Sequence, residues 1–206
     1  MIKTSFLLNE VLREPETDEV TVRIMDAALA EYLAHGLRRT SVDDVARAAG
    51  LGRATVYRRF ATRDELVQAV LVREGRRYFA ELAAATESLP SLADRLVEGF
   101  VVGVRNARRQ PLLSRLISTE TRDALPQLTV DGGPLFAVLR EFLVHQYLTS
   151  AEGAGQTHGK RPQQVAEVIV RLGVSLVLTP QSSLPLEDDE AMREFARTFL
   201  APMLSC

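Results

Sequence analysis

This chain has almost none of the residues from which disulfides and transition-metal sites are built. Its 206 residues include one cysteine, Cys206, which excludes an intrachain disulfide and a cysteine-based metal site. The three histidines, His35, His145 and His158, are scattered along the sequence. Motifs of zinc proteases, serine hydrolases, phosphate-binding loops and dinucleotide-binding folds are missing as well. We therefore expect a protein that is not an enzyme and that holds no cofactor and no metal.

Long apolar runs and strand patterns are also scarce. The longest apolar run, 165–178, is interrupted by Glu167 and Arg171, which favours a buried helix over a membrane span. The apolar segment at the start of the chain is too short and too charged for a signal peptide, so we expect a cytoplasmic protein with no membrane partner. Because no stretch alternates between polar and apolar residues with period two, the sequence predicts an all-α fold.

The chain carries little net charge, −2 at pH 7, which argues against a protein that binds polyanions over its whole surface. Between His35 and Arg63, however, seven arginines accompany only two aspartates. Such a local excess attracts phosphates and gains free energy from counterion release. The alternative interpretation is that these arginines form an ordinary solvated helix face. The helix–turn–helix that the sequence predicts around these arginines argues against that alternative.

Residues 40–66 read TSVDDVARAAGLGRATVYRRFATRDEL. Ser41, with Asp44 three residues later, predicts a capped helix that ends at Gly50. A second short helix follows from Arg53 to about residue 60, and a second capping box opens a third helix at Thr62. A tight turn between two short helices, the second of them basic, is typical of a helix–turn–helix that enters a DNA groove.

This region resembles the N-terminal DNA-binding domain of the TetR family of bacterial transcriptional repressors. The resemblance rests on AALAEYLAHG (27–36), TSVDDVARAAGLG (40–52), RATVYRRF (53–60) and TRDEL (62–66). It implies a three-helix DNA-binding domain with a helix–turn–helix at 17–66, followed by a helical effector-binding and dimerisation domain at 67–206. Residues 80–206 show no motif of comparable specificity, and the extension at 1–16 has no assigned role.

The outward side of the second short helix supplies most of the candidate DNA-binding residues. Arg53, Thr55 and Arg58 are predicted to reach base edges, because arginine pairs with guanine and the threonine methyl group can contact thymine. The other polar candidates are predicted to contact phosphates, which set register without reading sequence. The full candidate set is Ser41, Arg53, Ala54, Thr55, Tyr57, Arg58, Arg59 and Arg63.

Beyond this domain, helical periodicity predicts a long linking helix at 63–89 and helices at about 91–109, 111–119, 133–149, 162–179 and 186–203. The resemblance places an effector pocket between the linking helix and those after it. The candidate ligand-binding residues are Phe100, Val104, Leu116, Phe136, Leu139, Phe142 and His145. They suit a mainly apolar effector with one polar end, although an ordinary filled core, with His145 as a core histidine, would have the same composition.

The last two helices are predicted to form a dimer interface. The helix at 162–179 is apolar around most of its circumference, so it has more than one partner to pack against. A two-fold operator also requires two recognition helices about 34–36 Å apart. The resemblance implies that both helices pair with their copies in a four-helix interface. The candidate interface residues are Ile169, Leu172, Val174, Leu176, Phe195 and Phe199.

The sequence therefore predicts a homodimeric TetR-like regulator whose partners are double-stranded operator DNA, a second copy and a small-molecule effector. The resemblance implies a repressor that the effector releases from its operator. Two alternatives stay open at this point. One is an all-α small-molecule-binding protein or enzyme with an incidental helix–turn–helix. The other is an architectural DNA-binding protein without a ligand. The identity of the effector, the operator sequence and the choice between repressor and activator are not determined by the sequence.

Overall fold

The computed structural model describes residues 18–148, 161–184 and 186–204, apart from some side chains at helix ends. The N-terminal extension at 1–16, the glycine-rich segment at 150–160 and the terminal cysteine lie outside the described residues. Within these ranges every regular element is helical.

Two short helices and two longer ones make up the first half of the described chain. They are α1 (Glu19–His35), α2 (Val42–Ala48), α3 (Arg53–Arg59) and α4 (Arg63–Glu87). The second half contains α5 (Leu92–Arg109), α6 (Pro111–Thr119), α7 (Thr121–Leu128), α8 (Gly133–Leu148), α9 (Arg161–Leu178) and α10 (Asp189–Phe195). A π-helical turn (Ala196–Leu200) and a 3₁₀ turn (Ala201–Leu204) continue α10. All the predicted helices are present, and α7 is an addition.

Local capping explains where the N-terminal helices begin. The Asp18 side chain accepts hydrogen bonds from two N–H groups in the first turn of α1. Ser41 and Asp44 form the predicted capping box at α2, each accepting from the other's backbone N–H. At α4 the Thr62 hydroxyl accepts from the N–H of Glu65 at 3.1 Å. The Glu65 carboxylate accepts from the N–H before Thr62, so this box is shifted by one residue.

Helix α4 is continuous and contributes to two separate cores. Its first turns place Leu66 and Val70 in an N-terminal core with α1, α2 and α3, where all four helices bury apolar side chains. Its later turns place Phe79 and Leu82 in a second cluster with α5 and α8. The predicted domain boundary at residues 66 and 67 therefore falls inside one helix, which links the two halves mechanically.

Helix α10 is fixed on α5 by apolar packing and by ion pairs. The Arg193 guanidinium donates to both carboxylate oxygens of Glu98, at 2.8 and 3.1 Å. These hydrogen bonds are the main reason that the pKa of Glu98 is lowered. A second pair joins Arg105 to Asp189 at 2.6 Å. Together with α9, these helices enclose the largest buried core of the described chain.

Candidate DNA-binding face and effector cavity

Helix α3 has one buried side and one exposed basic side. Val56 is completely buried in the N-terminal core, which fixes the rotation of the helix. Arg53, Tyr57 and Arg58 are exposed on the opposite side, together with the predicted Ala54, and Thr55 is half-buried at the edge. The predicted DNA-contact residues of α3 therefore share one accessible surface, which we call the α3 face.

Arg53 is held in place by two neighbours. Its guanidinium pairs with Asp43 of α2 at 3.1 Å. It also lies over the ring of Tyr57, 5.2 Å from the ring centroid, and donates to the tyrosine hydroxyl at 3.4 Å. That hydrogen bond is the main reason that the pKa of Arg53 is raised. The sequence did not predict the Asp43 contact, because the two residues lie ten positions apart on different helices.

Two of the predicted phosphate-contacting arginines instead bind other parts of the domain. Arg59 pairs with Asp18, the capping residue of α1, at 2.7 Å. Arg63 donates to the backbone carbonyls of Leu37 and Thr40, between α1 and α2. Arg59 therefore joins α3 to the start of α1, and Arg63 joins the start of α4 to the connection between α1 and α2. Their roles at DNA remain predictions.

Ser41 and Arg58 differ in whether their polar groups already have a partner within the domain. The Ser41 hydroxyl and N–H group both contact Asp44 in the capping box, so contact of this side chain with DNA also remains a prediction. Arg58 is exposed and makes no ion pair with the described part of the chain. It therefore contributes a full positive charge to the α3 face.

The C-terminal half encloses a large cavity between α4, α5, α6, α8 and α9. Its volume is about 860 Å³, within the range of small-molecule sites. Five of the predicted ligand-binding residues line it: Phe100, Val104, Leu116, Leu139 and Phe142. The wall is mainly aliphatic and aromatic. Phe100, Val104 and Phe142 are also buried in the apolar cores around the cavity, so their contact with an effector remains a prediction.

Two predicted ligand-binding residues lie elsewhere. His145 is exposed on α8 rather than buried in a core, and it does not line the cavity. Phe136 does not line the cavity either, and the guanidinium of Arg171 lies over its ring, 4.9 Å from the centroid. Helix α8 presents more than one apolar face, so its periodicity did not indicate which aromatic side chains point inward.

The polar residues of the cavity wall were not among the predicted ligand-binding residues. Glu74, Tyr78 and Gln110 all line it, and Glu74 is only 7% exposed. The Tyr78 hydroxyl donates to the carbonyl of Gly103 at 3.1 Å. Burial raises the pKa of Tyr78 to about 12, so the phenol stays neutral at physiological pH. Residue spacing in the sequence could have indicated Glu74 and Tyr78 as wall residues, because they follow the buried Val70 at four-residue intervals on one helix face.

Helix α6 connects the cavity wall to the DNA-binding domain. Leu112 lines the cavity and is also buried in the N-terminal core. One turn later, Arg115 donates to the carbonyl of Ala34 at 3.2 Å, at the end of α1. Glu120 accepts from the backbone N–H of Arg38 at 3.4 Å. A shift of α6 would therefore be transmitted directly to the connection between α1 and α2.

The predicted interface residues differ in their exposure within the single chain. Ile169, Leu176 and Phe195 are buried in the core of this chain, and their contact with a second copy remains a prediction. Leu172 is partly buried against the same core and Val174 lines the cavity. Of the predicted set, only the Phe199 side chain is largely exposed, at 61%. Val168 on α9, 47% exposed, is a further apolar surface residue.

The described residues also bear on two other kinds of site. No helix there is long and apolar enough to cross a membrane. In the same part of the chain, histidine, cysteine, aspartate and glutamate side chains do not gather in groups of three or more that could hold a metal ion.

Comparison with known proteins identifies both halves of the chain. Residues 24–70 match the model of bacterial regulatory proteins of the tetR family, and residues 92–199 match the model of the bacterial tetracycline repressor C-terminal domain. An uncharacterised helix–turn–helix regulator of Mycobacterium tuberculosis is 24% identical over 92% of this chain and 87% of its own length. The regulator SrpR of Pseudomonas putida is 36% identical over 68% of this chain and 65% of its own length.

Solved structures share the same architecture. The TetR family repressor AlkX from Dietzia sp., implicated in biodegradation of n-alkanes, superposes with a TM-score of 0.64 at 25% identity, covering 93% of this chain and 98% of that structure. GusR of Salmonella enterica has a TM-score of 0.63 at 20% identity, covering 95% and 99%, and supports the fold alone.

Proposed function

The chain belongs to the TetR family of DNA-binding transcriptional regulators, and we propose that it acts as a homodimeric repressor that a small, mainly apolar effector releases from its operator. The α3 face carries this proposal. Arg53 and Arg58 are exposed there beside Tyr57, while Val56 anchors the helix from behind. A short basic helix presented in this way fits the major groove.

The cavity supports the effector part of the proposal. An effector lying between α4 and α6 contacts two helices that both reach the DNA-binding domain. Its entry would tilt α4 and change the separation of the two recognition helices. The effector must bind more tightly to the conformation that fits the operator badly, since only this difference in affinity can shift the equilibrium. The n-alkane connection of AlkX agrees with an apolar effector.

A gel shift on the DNA upstream of the protein's own coding sequence tests this function against its alternatives. A regulator retards this fragment at concentrations that leave a scrambled fragment free, whereas a carrier or enzyme with an incidental helix–turn–helix retards neither. An architectural protein retards both fragments equally and is not released by any small molecule. Either of the last two results would refute the proposed function.

We expect Arg53→Ala to weaken operator binding by about 1–3 kcal/mol, the typical contribution of a bidentate contact between arginine and guanine. Binding to random DNA should change much less. Fluorescence anisotropy at one fixed salt concentration measures both affinities. The matched control is Arg47→Ala, which removes the same charge from α2, where the side chain is exposed and paired with Asp44. If Arg53→Ala lowered the affinity for operator DNA and for random DNA equally, Arg53 would not contact a base.

We expect Gly75→Leu to abolish effector-driven release without weakening operator binding. Gly75 lines the cavity, and a Cβ atom added there would meet no other atom within 4 Å, so a larger side chain enters empty space. The measurement is a screen of a metabolite and drug library by thermal shift, followed by DNA-release titrations with the ligands that stabilise the wild type. Gly133→Leu is the control, because Gly133 is equally unobstructed but lies outside the cavity wall. Unchanged release by Gly75→Leu would place the effector elsewhere.

A further inference from the structure

We propose that the effector carries a protonated amine at one end and that this ammonium group binds against the buried carboxylate of Glu74. The inference rests on the proposed function, because it assigns a chemical class to the ligand of the same cavity. Among the described residues, Glu74 and Arg95 are the two charged residues of the cavity wall. A charged end of an apolar effector therefore meets one of these two side chains.

Glu74 has hydrogen-bonding capacity that the protein does not use. The residue is only 7% exposed, and within the described part of the chain its carboxylate accepts one hydrogen bond, from Gln110 Nε2 at 3.4 Å. An ionised carboxylate offers about four acceptor positions, and burying it is costly unless these are filled. Guanidinium groups of Arg77 and Arg73 approach to 3.4 and 3.8 Å, but neither residue lines the cavity. A hydrogen-bond donor on the cavity side of Glu74 would fill acceptor positions of the carboxylate that the protein leaves open.

The charges around Glu74 favour a cation. Arg73 is shared with Asp26, at 2.7 Å, and Arg77 is shared with Glu81, at 3.8 Å. With Glu74, this cluster contains two guanidinium groups and three carboxylates, a formal charge of −1, and Asp26 and Glu81 are its exposed carboxylates, at 67% and 53%. Glu74 is the carboxylate that lines the cavity, so it attracts an ammonium group and repels a carboxylate ligand, and burial strengthens both effects.

The neighbouring positions on α4 have the shape and chemistry that an amine requires. Tyr78 lies one turn beyond Glu74, and its hydroxyl donates to Gly103, which leaves the oxygen able to accept from a ligand. Its ring adds a face on which a cation can rest. Gly75, next to Glu74, has no side chain, and the space beside it is open. A head group therefore has open space beside the residue that carries the carboxylate.

Arg95 is the other residue at which a charged end of the effector could bind. Its guanidinium, however, already donates hydrogen bonds to the C-terminal end of α4. Its Nε and Nη2 groups donate to the carbonyls of Leu89 and Glu87, at 3.0 and 3.3 Å. These carbonyls belong to the C-terminal end of the helix, where a cation is favoured by the helix dipole. An anionic effector would have to compete with this capping interaction. The observations therefore favour an amine at Glu74 over a carboxylate at Arg95.

The test is calorimetric titration of the full chain with three ligands of equal length, namely decylamine, 1-decanol and decanoate, each below its micellar concentration. Decylamine is expected to bind about tenfold more tightly than decanol, as for a hydrogen bond to a charged group, and decanoate most weakly. In Glu74→Gln the advantage of the amine should disappear while decanol binding is retained. The control is Glu81→Gln, which removes the other partner of Arg77 at a side chain that is 53% exposed and does not line the cavity.

Every other outcome of the titration would overturn the proposal that the effector carries an amine. Tightest binding by decanoate, lost in Arg95→Gln, would move the polar end to Arg95 and overturn the proposal while leaving the effector function intact. Equal affinities for all three ligands, or no binding by any of them, would overturn it as well. The DNA-release experiment with Gly75→Leu then decides separately whether the cavity is the effector site. If Glu74→Gln fails to fold, the order of the three affinities in the wild type gives the answer alone.

Discussion

Phe199→Glu is expected to convert the proposed dimer into monomers that keep their helical content and lose operator binding by a factor of about 10² or more. Phe199 packs on Phe195, with ring centroids 5.1 Å apart, yet it remains 61% exposed in the single chain. In a two-fold dimer the introduced carboxylates would face each other in an apolar contact without compensation. Light scattering gives the oligomeric state, and anisotropy gives the affinity for DNA.

Val130→Glu is the matched control for this variant. Val130 is the most exposed large apolar residue of the described chain, at 87%, and lies between α7 and α8 rather than on α9 or α10. The same change of chemistry there should leave both the dimer and DNA binding intact. An unchanged dimer in Phe199→Glu would show that Phe199 does not contribute to the interface.

Gly36→Ala is expected to destabilise the protein by about 3 kcal/mol, combining roughly 1–3 kcal/mol of backbone strain with about 1 kcal/mol for a lost hydrogen bond. Gly36 ends α1 with a φ of +89° and a ψ of 156°, a conformation that is open to glycine almost alone. A Cβ atom there would lie 2.7 Å from Oε1 of Glu120, the oxygen that accepts from the N–H of Arg38. The substitution therefore strains the backbone and also separates α6 and α7 from the DNA-binding domain.

Urea denaturation of two further variants separates these contributions. Gly50→Ala, where φ is +63° and a Cβ atom would meet nothing within 4 Å, carries backbone strain alone and should cost roughly 1–2 kcal/mol. Adding Glu120→Ala to Gly36→Ala removes the collision, so the double variant should be less destabilised than the sum of the two single changes. Strict additivity would show that the contact between Gly36 and Glu120 is unimportant.

The features that the sequence predicted well are those encoded by neighbouring residues. The caps at Ser41 and Thr62 join residues three apart, and Gly36 and Gly50 end their helices through their own backbone preferences. The buried side of α3 follows from the position of Val56 alone. Helix α7 was missed because it is short and contains Pro126, a residue that normally argues against a helix.

The features that the sequence could not provide depend on contacts between distant segments. The partners of Arg63 lie more than twenty positions upstream, and no pattern indicated that the Arg53 side chain would meet Asp43. Glu74 reads as a surface residue in a charged segment, and only the packing of α4 against α5 and α6 buries it. After Phe195, the π-helical turn makes Leu200, rather than Phe199, the residue that returns to the core. The periodicity of a regular α-helix would not have predicted that Leu200 is the buried residue.

The most direct test of the central claim is selection of bound sequences from a pool of random double-stranded DNA by the full-length wild-type protein. A homodimer that reads DNA with the α3 face should enrich an inverted repeat whose half-sites are centred about one helical turn, or a multiple of it, apart. Arg53→Ala should relax one position in each half-site. Enrichment of single, unrepeated half-sites would contradict the dimeric reading of DNA, and absence of any enriched sequence would contradict the assignment of this protein as an operator-binding repressor.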